Sequence, residues 1–108
     1  MIGFIFIDND KIGESDFKII DEGMGAIGGN MIPYDGYSRY QERVQKLYEE
    51  NGNANIHDFN FHIILDDGSL LIPEGGISLS DSAEFKEIYV DAAGLPREII
   101  EKIGPPLR

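Results

Sequence analysis

The segment FNFHIILDDGSLLI, residues 59–72, decides the fold because it predicts a β-hairpin. Two apolar runs flank Asp67 and Gly68, a residue pair that favours a two-residue hairpin turn. A turn at these positions places Leu65 opposite Leu70, and this pairing sets the register of the hairpin. One face of the hairpin is then apolar, and it consists of Phe59, Phe61, Ile63, Leu65, Leu70 and Ile72. The other face is mixed, so we expect the hairpin to bury one side.

Upstream of the hairpin, the chain begins with two predicted strands and a glycine-rich segment. Residues 1–7 are almost entirely apolar and predict a strand that is buried on both faces. A second strand at residues 17–20 is expected to pair with the first. Residues 22–30 are rich in glycine and are expected to form a bend or a mobile contact surface.

Residues 35–51 form the clearest predicted helix. Their apolar side chains recur with the 3.6-residue period of one helix face, and these side chains are Tyr37, Tyr40, Val44, Leu47 and Tyr48. Asp35 is expected to cap the start of the helix, and Gly52 stands where a helix-ending glycine belongs.

The region after the hairpin is ambiguous. A short strand is expected at residues 77–79, after a bend at a glycine pair. Asp81 and Glu84 have the spacing of a capping box, which predicts a helix from that point to Ala93. Residues 87–90 also fit a strand, and the sequence leaves both alternatives open.

A short final helix is predicted from Pro96 to the Gly-Pro-Pro at residues 104–106. The whole chain, residues 1–108, is therefore expected to form a single α+β domain. Its mainly antiparallel sheet should contain four to five strands in hairpins, packed against one long helix, with one or two short C-terminal helices.

Composition and charge exclude several classes of function. The chain has 20 Asp and Glu against 9 Lys and Arg, a formal net charge of −11. Such a charge argues against nucleic-acid binding, because a contact with phosphates requires basic side chains. Without cysteine there is no disulfide and no thiolate catalysis or Cys-based zinc site. The apolar start at residues 1–7 is too short for a signal peptide or a membrane span, so we expect a cytoplasmic protein with no membrane contact.

The charge is distributed unevenly. No Lys or Arg lies between Lys46 and Lys86, although this stretch contains eight carboxylates. Most of these carboxylates have local roles in turns and helix caps, but the absence of neutralising residues favours a basic partner. The predicted partner-binding residues are Asp58, Asp66, Asp67, Glu74, Asp81 and Glu84, together with the loop aromatic Tyr34.

Patterns for catalysis or cofactors are weak. Residues 23–28 match G-x-G-x-x-G, but no helix follows directly to bind a phosphate. Asp8, Asp10 and their neighbours lack the ligands that an EF-hand needs at its fifth and twelfth positions. His57 and His62 point to opposite faces if both lie on one strand, so they are not expected to share a metal. We therefore assign no catalytic residue, metal site or cofactor.

The favoured interpretation is a noncatalytic acidic protein that inhibits a basic partner. A bacterial immunity protein that covers the active site of a nuclease toxin has this small size, acidity and rigid scaffold. One alternative is a small enzyme or ligand-binding domain, with a pocket formed by the glycine-rich segment and His57 or His62. A second alternative is a structural subunit that associates with itself through an edge strand or the apolar hairpin face.

Overall fold

The computed structural model describes residues 1–104, which form eight β-strands, one 3₁₀ helix and two α-helices. In chain order these elements are β1 Ile2–Ile7, β2 Asp10–Asp16, β3 Lys18–Asp21, β4 Ala26–Pro33, the 3₁₀ helix Asp35–Arg39, α1 Gln41–Asn51, β5 Ala54–Asn55, β6 Phe61–Leu65, β7 Gly76–Ser82, β8 Glu87–Ala93 and α2 Arg97–Ile103. The predicted α+β class is confirmed. The predicted strand count is too low, and one short helix follows the last strand within the described residues.

The sheet is antiparallel throughout and strongly curled. Its strands lie in the order β5-β7-β8-β4-β2-β1-β6, with β3 also paired to β4. Strand β4 joins two parts of the sheet, one with β3, β5, β7 and β8 and the other with β1, β2 and β6. Its first residues pair with β3 and β8, and its last residues pair with β2. The buried side chains of both parts meet in one core.

Strand β1 buries one face only. Ile5 and Ile7 are buried in the core. On the other face Phe4 is partly exposed, and the Nζ of Lys11 lies 4.6 Å from the centroid of its ring. The expectation of burial on both faces is therefore wrong. The partner of β1 is also different from the predicted one, because β1 pairs with β2 and not with residues 17–20.

The hairpin that begins with β6 is shifted by one residue from its predicted register. Ile64 lies opposite Leu70, so the loop has three residues, and Gly68 adopts the left-handed φ of 90° that suits such a loop. Successive side chains of a strand point to opposite faces, so this shift exposes Leu70 and Ile72 and buries Leu71. The predicted apolar face is correct for β6 and wrong for the returning segment.

Residues 81–93 belong to a β-hairpin and not to a helix. β7 and β8 pair over their full length, and every second side chain of β8 is buried, which is the period of a strand. The predicted capping box is wrong, since Asp81 is a buried strand residue and Glu84 lies in the turn between the strands. The strand alternative for residues 87–90 is confirmed.

The predicted long helix is divided. Residues 35–39 form the 3₁₀ helix, and α1 begins only at Gln41, and among residues 1–104 no side chain caps the start of either helix. The cap expected from Asp35 is therefore wrong. The end of α1 is as predicted, because Gly52 takes the left-handed conformation with φ 89°. Helix α2 ends at Ile103 as expected, while the predicted stop at Pro105 and Pro106 lies outside the described residues.

The glycine-rich segment is a turn followed by a strand. Only residues 22–25 form the expected bend, and the remainder belongs to β4. Within β4, a Cβ on Gly28 would collide with the ring of Tyr89, so this glycine permits close packing between neighbouring strands. The expected bend is therefore confined to residues 22–25, and the rest of the segment is a strand in the middle of the sheet.

Candidate functional site: an acidic cleft beside the C-terminal helix

A cleft of about 720 Å³ lies where the turn at residues 22–25 meets the segment 72–74 and helix α2. Leu95 and Ile100 are buried and form its apolar floor. The cleft therefore combines three parts of the chain that are far apart in sequence.

Backbone hydrogen bonds hold the first wall of the cleft, the turn at residues 22–25, in place. The N–H of Gly94 donates to the carbonyl of Met24 at 3.0 Å, and the N–H of Leu95 donates to the carbonyl of Gly25 at 3.1 Å. Gly25 has a φ of 59°, and a Cβ at this position would lie 2.5 Å from the carbonyl oxygen of Leu95. Only glycine fits here, so Gly25 brings the turn close to the segment before α2.

The second wall is the segment that returns from the β6 hairpin. The N–H of Glu74 donates to the carbonyl of Gly94 at 3.2 Å, which fixes this wall relative to the first. Ile72 on this wall is 75% exposed, and Met24 on the opposite wall is 65% exposed. Large apolar side chains that project beside a concave surface are typical of contact sites between proteins.

The charges at the cleft are mainly negative. Glu22, Glu74 and Glu101 line it, and Arg97 is its one basic residue among those described. The guanidinium of Arg97 is already paired with Glu101 at 3.2 Å on the exposed surface of α2. The cleft therefore has an apolar centre, and Glu22 and Glu74 on its two walls form no salt bridge with any of residues 1–104.

The loop at residues 66–68 lies at the other end of α2. Lys102, in the last turn of this helix, contacts Asp67 at 2.9 Å and donates to Ser69 Oγ at 2.7 Å. The hydrogen bond from Lys102, followed by that from the backbone N–H of Ser69, lowers the pKa of Asp67 to about 2. Asp66 is exposed beside it. Asp66, Asp67 and Glu74 thus flank α2 on one side of the molecule.

The other predicted partner-binding residues lie elsewhere. Asp58 closes the turn after β5 by accepting the N–H of Asn55 at 2.9 Å. Glu84 lies at the end of the β7–β8 hairpin opposite to Glu74, and the six residue steps of β7 separate these ends by about 20 Å. Tyr34 donates its hydroxyl to Glu14 at 2.8 Å, and this hydrogen bond raises the pKa of Tyr34. The predicted set does not form one surface.

Asp81 is the clearest correction to the predicted set. Its side chain is 1% exposed and points into the core between β7 and α1. It accepts hydrogen bonds from the hydroxyl of Tyr37 at 2.7 Å and from the side-chain amides of Gln41 at 3.3 Å and Gln45 at 3.2 Å. Burial, and then the hydrogen bond with Asp81, raise the pKa of Tyr37. Asp81 therefore joins α1 to the sheet and does not contribute to the surface charge.

The residues of the enzyme alternative are not brought together. The glycine-rich turn lines the cleft beside α2, whereas His57 lines a separate pocket with Ser78 and Asp91. His62 lies on β6 opposite Phe6. In the second pocket Ser78 donates directly to Asp91 at 2.6 Å, an arrangement in which the histidine does not activate the hydroxyl.

Two further observations concern metals and membranes. Within residues 1–104, no three His, Asp or Glu side chains lie close enough together to hold a metal ion. Neither helix of this described part is long and apolar enough to cross a membrane.

Comparison with known proteins adds no relative. No protein-family model matches the chain, and neither a curated protein nor a solved structure is significantly similar to it.

The predicted partner-binding residues include Glu74 of the cleft but not its exposed side chains Met24, Ile72, Glu22 and Glu101. Ile72 was assigned to a buried face because of the predicted register. Glu22 and Glu101 lie outside residues 47–85, the stretch without Lys or Arg from which most of the partner-binding residues were predicted. One signal in the sequence could have identified Glu22, because Asp21 and Glu22 are two carboxylates at the start of the glycine-rich segment.

Proposed function

We propose that this chain is a noncatalytic acidic protein of the bacterial cytoplasm that inhibits a basic protein partner by covering its active site. An immunity protein directed against a nuclease toxin is the example that fits best. The observation that carries the proposal is the cleft beside α2, in which exposed Met24 and Ile72 lie among Glu22, Glu74 and Glu101.

The apolar and acidic parts of the cleft have complementary roles in this proposal. Carboxylates accelerate the encounter with a positively charged groove and orient it, while most of the affinity comes from a few apolar anchors that lose their water. A nuclease groove presents Lys and Arg for phosphates, and these side chains match Glu22 and Glu74. Met24 suits the anchoring role because its flexible side chain adapts to an irregular surface.

The surrounding charges extend the same surface. Asp66 and Asp67 lie near the end of α2, and Lys102 neutralises only Asp67. Two of the three basic side chains of α1 and the preceding 3₁₀ helix have other neighbours, because Arg39 pairs with Asp10 and Arg43 lies over the ring of Phe59. The third, Lys46, is exposed on α1. The α2 side is therefore the side that a basic partner is expected to approach.

A capture experiment with matched variants tests this proposal. The protein is immobilised and exposed to an extract of its native host, and bound proteins are identified by mass after washes at low and high salt. We expect a basic nuclease, whose activity the soluble protein inhibits. Glu22→Gln/Glu74→Gln should slow its association about tenfold at low salt.

The matched control is Glu49→Gln/Glu84→Gln. It removes the same two charges, but from exposed positions outside the cleft. The control should retain association and inhibition. Equal losses in both variants would attribute the effect to net charge, and recovery of no basic protein would contradict the proposal.

Self-association is a second candidate function that one observation favours. Leu70 is 52% exposed next to Ile72, and among residues 1–104 no backbone acceptor is bonded to the N–H of either residue. Such an apolar edge can pair with the same edge of another copy. Size-exclusion chromatography separates the candidates, because a dimer formed by apolar contacts persists at 1 M salt, whereas an acidic inhibitor is monomeric at low and high salt.

A further inference from the structure

The outer face of the sheet carries a row of apolar side chains. Antiparallel pairing places Phe4 of β1 opposite Ile64 of β6, and Ile64 opposite Leu70 of the returning segment. Residues that lie directly opposite each other share a face, and so does Ile72, two positions after Leu70. Leu70 is 52% exposed, Ile72 is 75% exposed, and the other two side chains are partly exposed. We call these four residues the apolar row. The solvent side of an antiparallel sheet normally carries polar side chains, so the row marks a surface suited to contact with another protein.

Charged residues of β2 border the apolar row on one side. Glu14 lies opposite Phe4, and Lys11 lies opposite Phe6. The Nζ of Lys11 lies 4.6 Å from the centroid of the Phe4 ring and 5.7 Å from the centroid of the Phe6 ring. The ammonium group of Lys11 therefore shields part of the row at β1. The open part of the row lies at β6 and the returning segment, away from this charged border.

The apolar row and the acidic cleft are continuous. Ile72 belongs to both, since its side chain also lines the cleft, whereas Leu70 and Ile64 do not line it. Twelve residues line the cleft. A specific contact between two proteins involves about 20–30 residues on each side, so a partner that enters the cleft has to cover adjacent surface as well. The apolar row is adjacent, and the centre of such contacts is more apolar than their rim.

We propose that the partner of the acidic cleft also covers the apolar row, an inference that rests on the proposed inhibitor function. The occupant is therefore a basic protein with an apolar patch beside its positively charged groove. In this contact Glu22 and Glu74 provide the electric field that accelerates association. Leu70 and Ile64 provide apolar anchors whose burial slows dissociation. The two groups of residues thus affect different rate constants, and a kinetic measurement separates them.

Leu70→Ser tests the contribution of the row, because Leu70 is exposed and does not line the cleft. The full chain binds the basic protein that is captured from host extract and identified by its mass, and surface plasmon resonance gives both rate constants at low and high salt. Leu70→Ser should accelerate dissociation about tenfold at either salt concentration, as expected for the loss of an apolar anchor, and leave association unchanged.

Phe85→Ser is the matched control. Phe85 is 68% exposed in the turn between β7 and β8, at the opposite end of this hairpin from Glu74. Its substitution also removes an exposed apolar side chain, but from a position outside the row and the cleft, and it should alter neither rate constant.

The opposite results are equally specific. Equal dissociation rates for Leu70→Ser and wild type, with association still slowed by Glu22→Gln/Glu74→Gln, would overturn this inference and leave the proposed function in place. Recovery of no basic protein would contradict the proposed function and this inference together. Size-exclusion chromatography tests another occupant. If the wild type is a dimer at 1 M salt and Leu70→Ser makes it a monomer, a second copy covers the row and the inference is wrong.

Discussion

The cleft beside α2 and the buried hydrogen-bond network between α1 and β7 both contain carboxylates, but their environments are opposite. Glu22 and Glu74 are exposed, and in the proposed function their carboxylates would act on a basic partner through an electric field that salt weakens. Asp81 is buried, and three hydrogen bonds from neutral groups fix its position. Carboxylates are therefore open to solvent at one place and order the interior at the other, and burial makes the difference.

The largest difference is expected between Asp81 and Glu74. Asp81→Ala removes the acceptor of three donors, of which the Tyr37 hydroxyl is buried, and should lower the free energy of unfolding by about 3–5 kcal/mol. Glu74→Ala should change it by less than about 0.5 kcal/mol. Urea unfolding measures both values. A loss below about 1 kcal/mol for Asp81→Ala would contradict the importance of this network.

Two neighbouring leucines extend the comparison to apolar side chains. Leu71→Ala empties a buried position and should lower the free energy of unfolding by about 2–4 kcal/mol. Leu70→Ala alters an exposed side chain and should lower it by less than about 0.5 kcal/mol. Urea unfolding measures both values. The opposite ranking would support the two-residue turn and its register.

Two glycines of the turn at residues 22–25 test how the cleft is built. Gly25→Ala requires a left-handed alanine whose Cβ is 2.5 Å from the Leu95 carbonyl oxygen, and it should lower the free energy of unfolding by about 2 kcal/mol. Gly23→Ala places its Cβ 3.5 Å from Asp21 Oδ1, an ordinary contact, and should stay within about 0.5 kcal/mol of wild type. If Gly25→Ala lowers the free energy of unfolding no more than Gly23→Ala does, the cleft wall formed by residues 22–25 is not tightly packed.

The smallest effect concerns the exposed pair at the end of α2. Lys102→Met removes the main cause of the low pKa of Asp67, so this pKa should rise from about 2 towards 3.8, as measured by NMR titration of the Asp67 carboxyl carbon. The folded pKa is depressed, so the pair stabilises the protein above the unfolded value and its contribution disappears as pH falls from 3.8 to 2. The variant should lose less stability than wild type across that interval. Arg97→Met, at the other end of α2, should leave the pKa of Asp67 unchanged.

Much of the fold was predictable because it follows local periodicity. The strand at β6, the end of α1 at Gly52 and the short helix α2 all match patterns within a few residues of sequence. The register of the hairpin was not predictable in this way. Asp67 and Gly68 suit both a two-residue and a three-residue loop. The two-residue loop would bury Leu70, whereas the three-residue loop of the structure buries Leu71.

The helix predicted after Asp81 failed for a related reason. An aspartate with a glutamate three residues later satisfies the rule for a helix cap, and the same aspartate also satisfies three donors that approach from α1 and the 3₁₀ helix. Those donors lie 36 to 44 positions away in sequence. A rule that considers only neighbouring residues does not include these donors. The segment therefore pairs as strands β7 and β8 and does not form a helix.

The candidate site was predictable only in part. Asp66, Asp67 and Glu74 were identified from the absence of basic residues around them, and the structure places them on one side near α2. Met24 and Glu101 were not identified, because they join the cleft only when the glycine-rich turn packs against the segment before α2.

The sequence by itself determined the α+β class, most of the local elements and a net charge of −11. These properties depend on composition and on neighbours within one or two turns of chain. Only the tertiary structure decided which carboxylates are exposed and that Asp81 is buried, and where apolar side chains remain exposed. Burial depends on contacts between distant parts of the chain, and a shift of one residue in strand pairing is enough to reverse it.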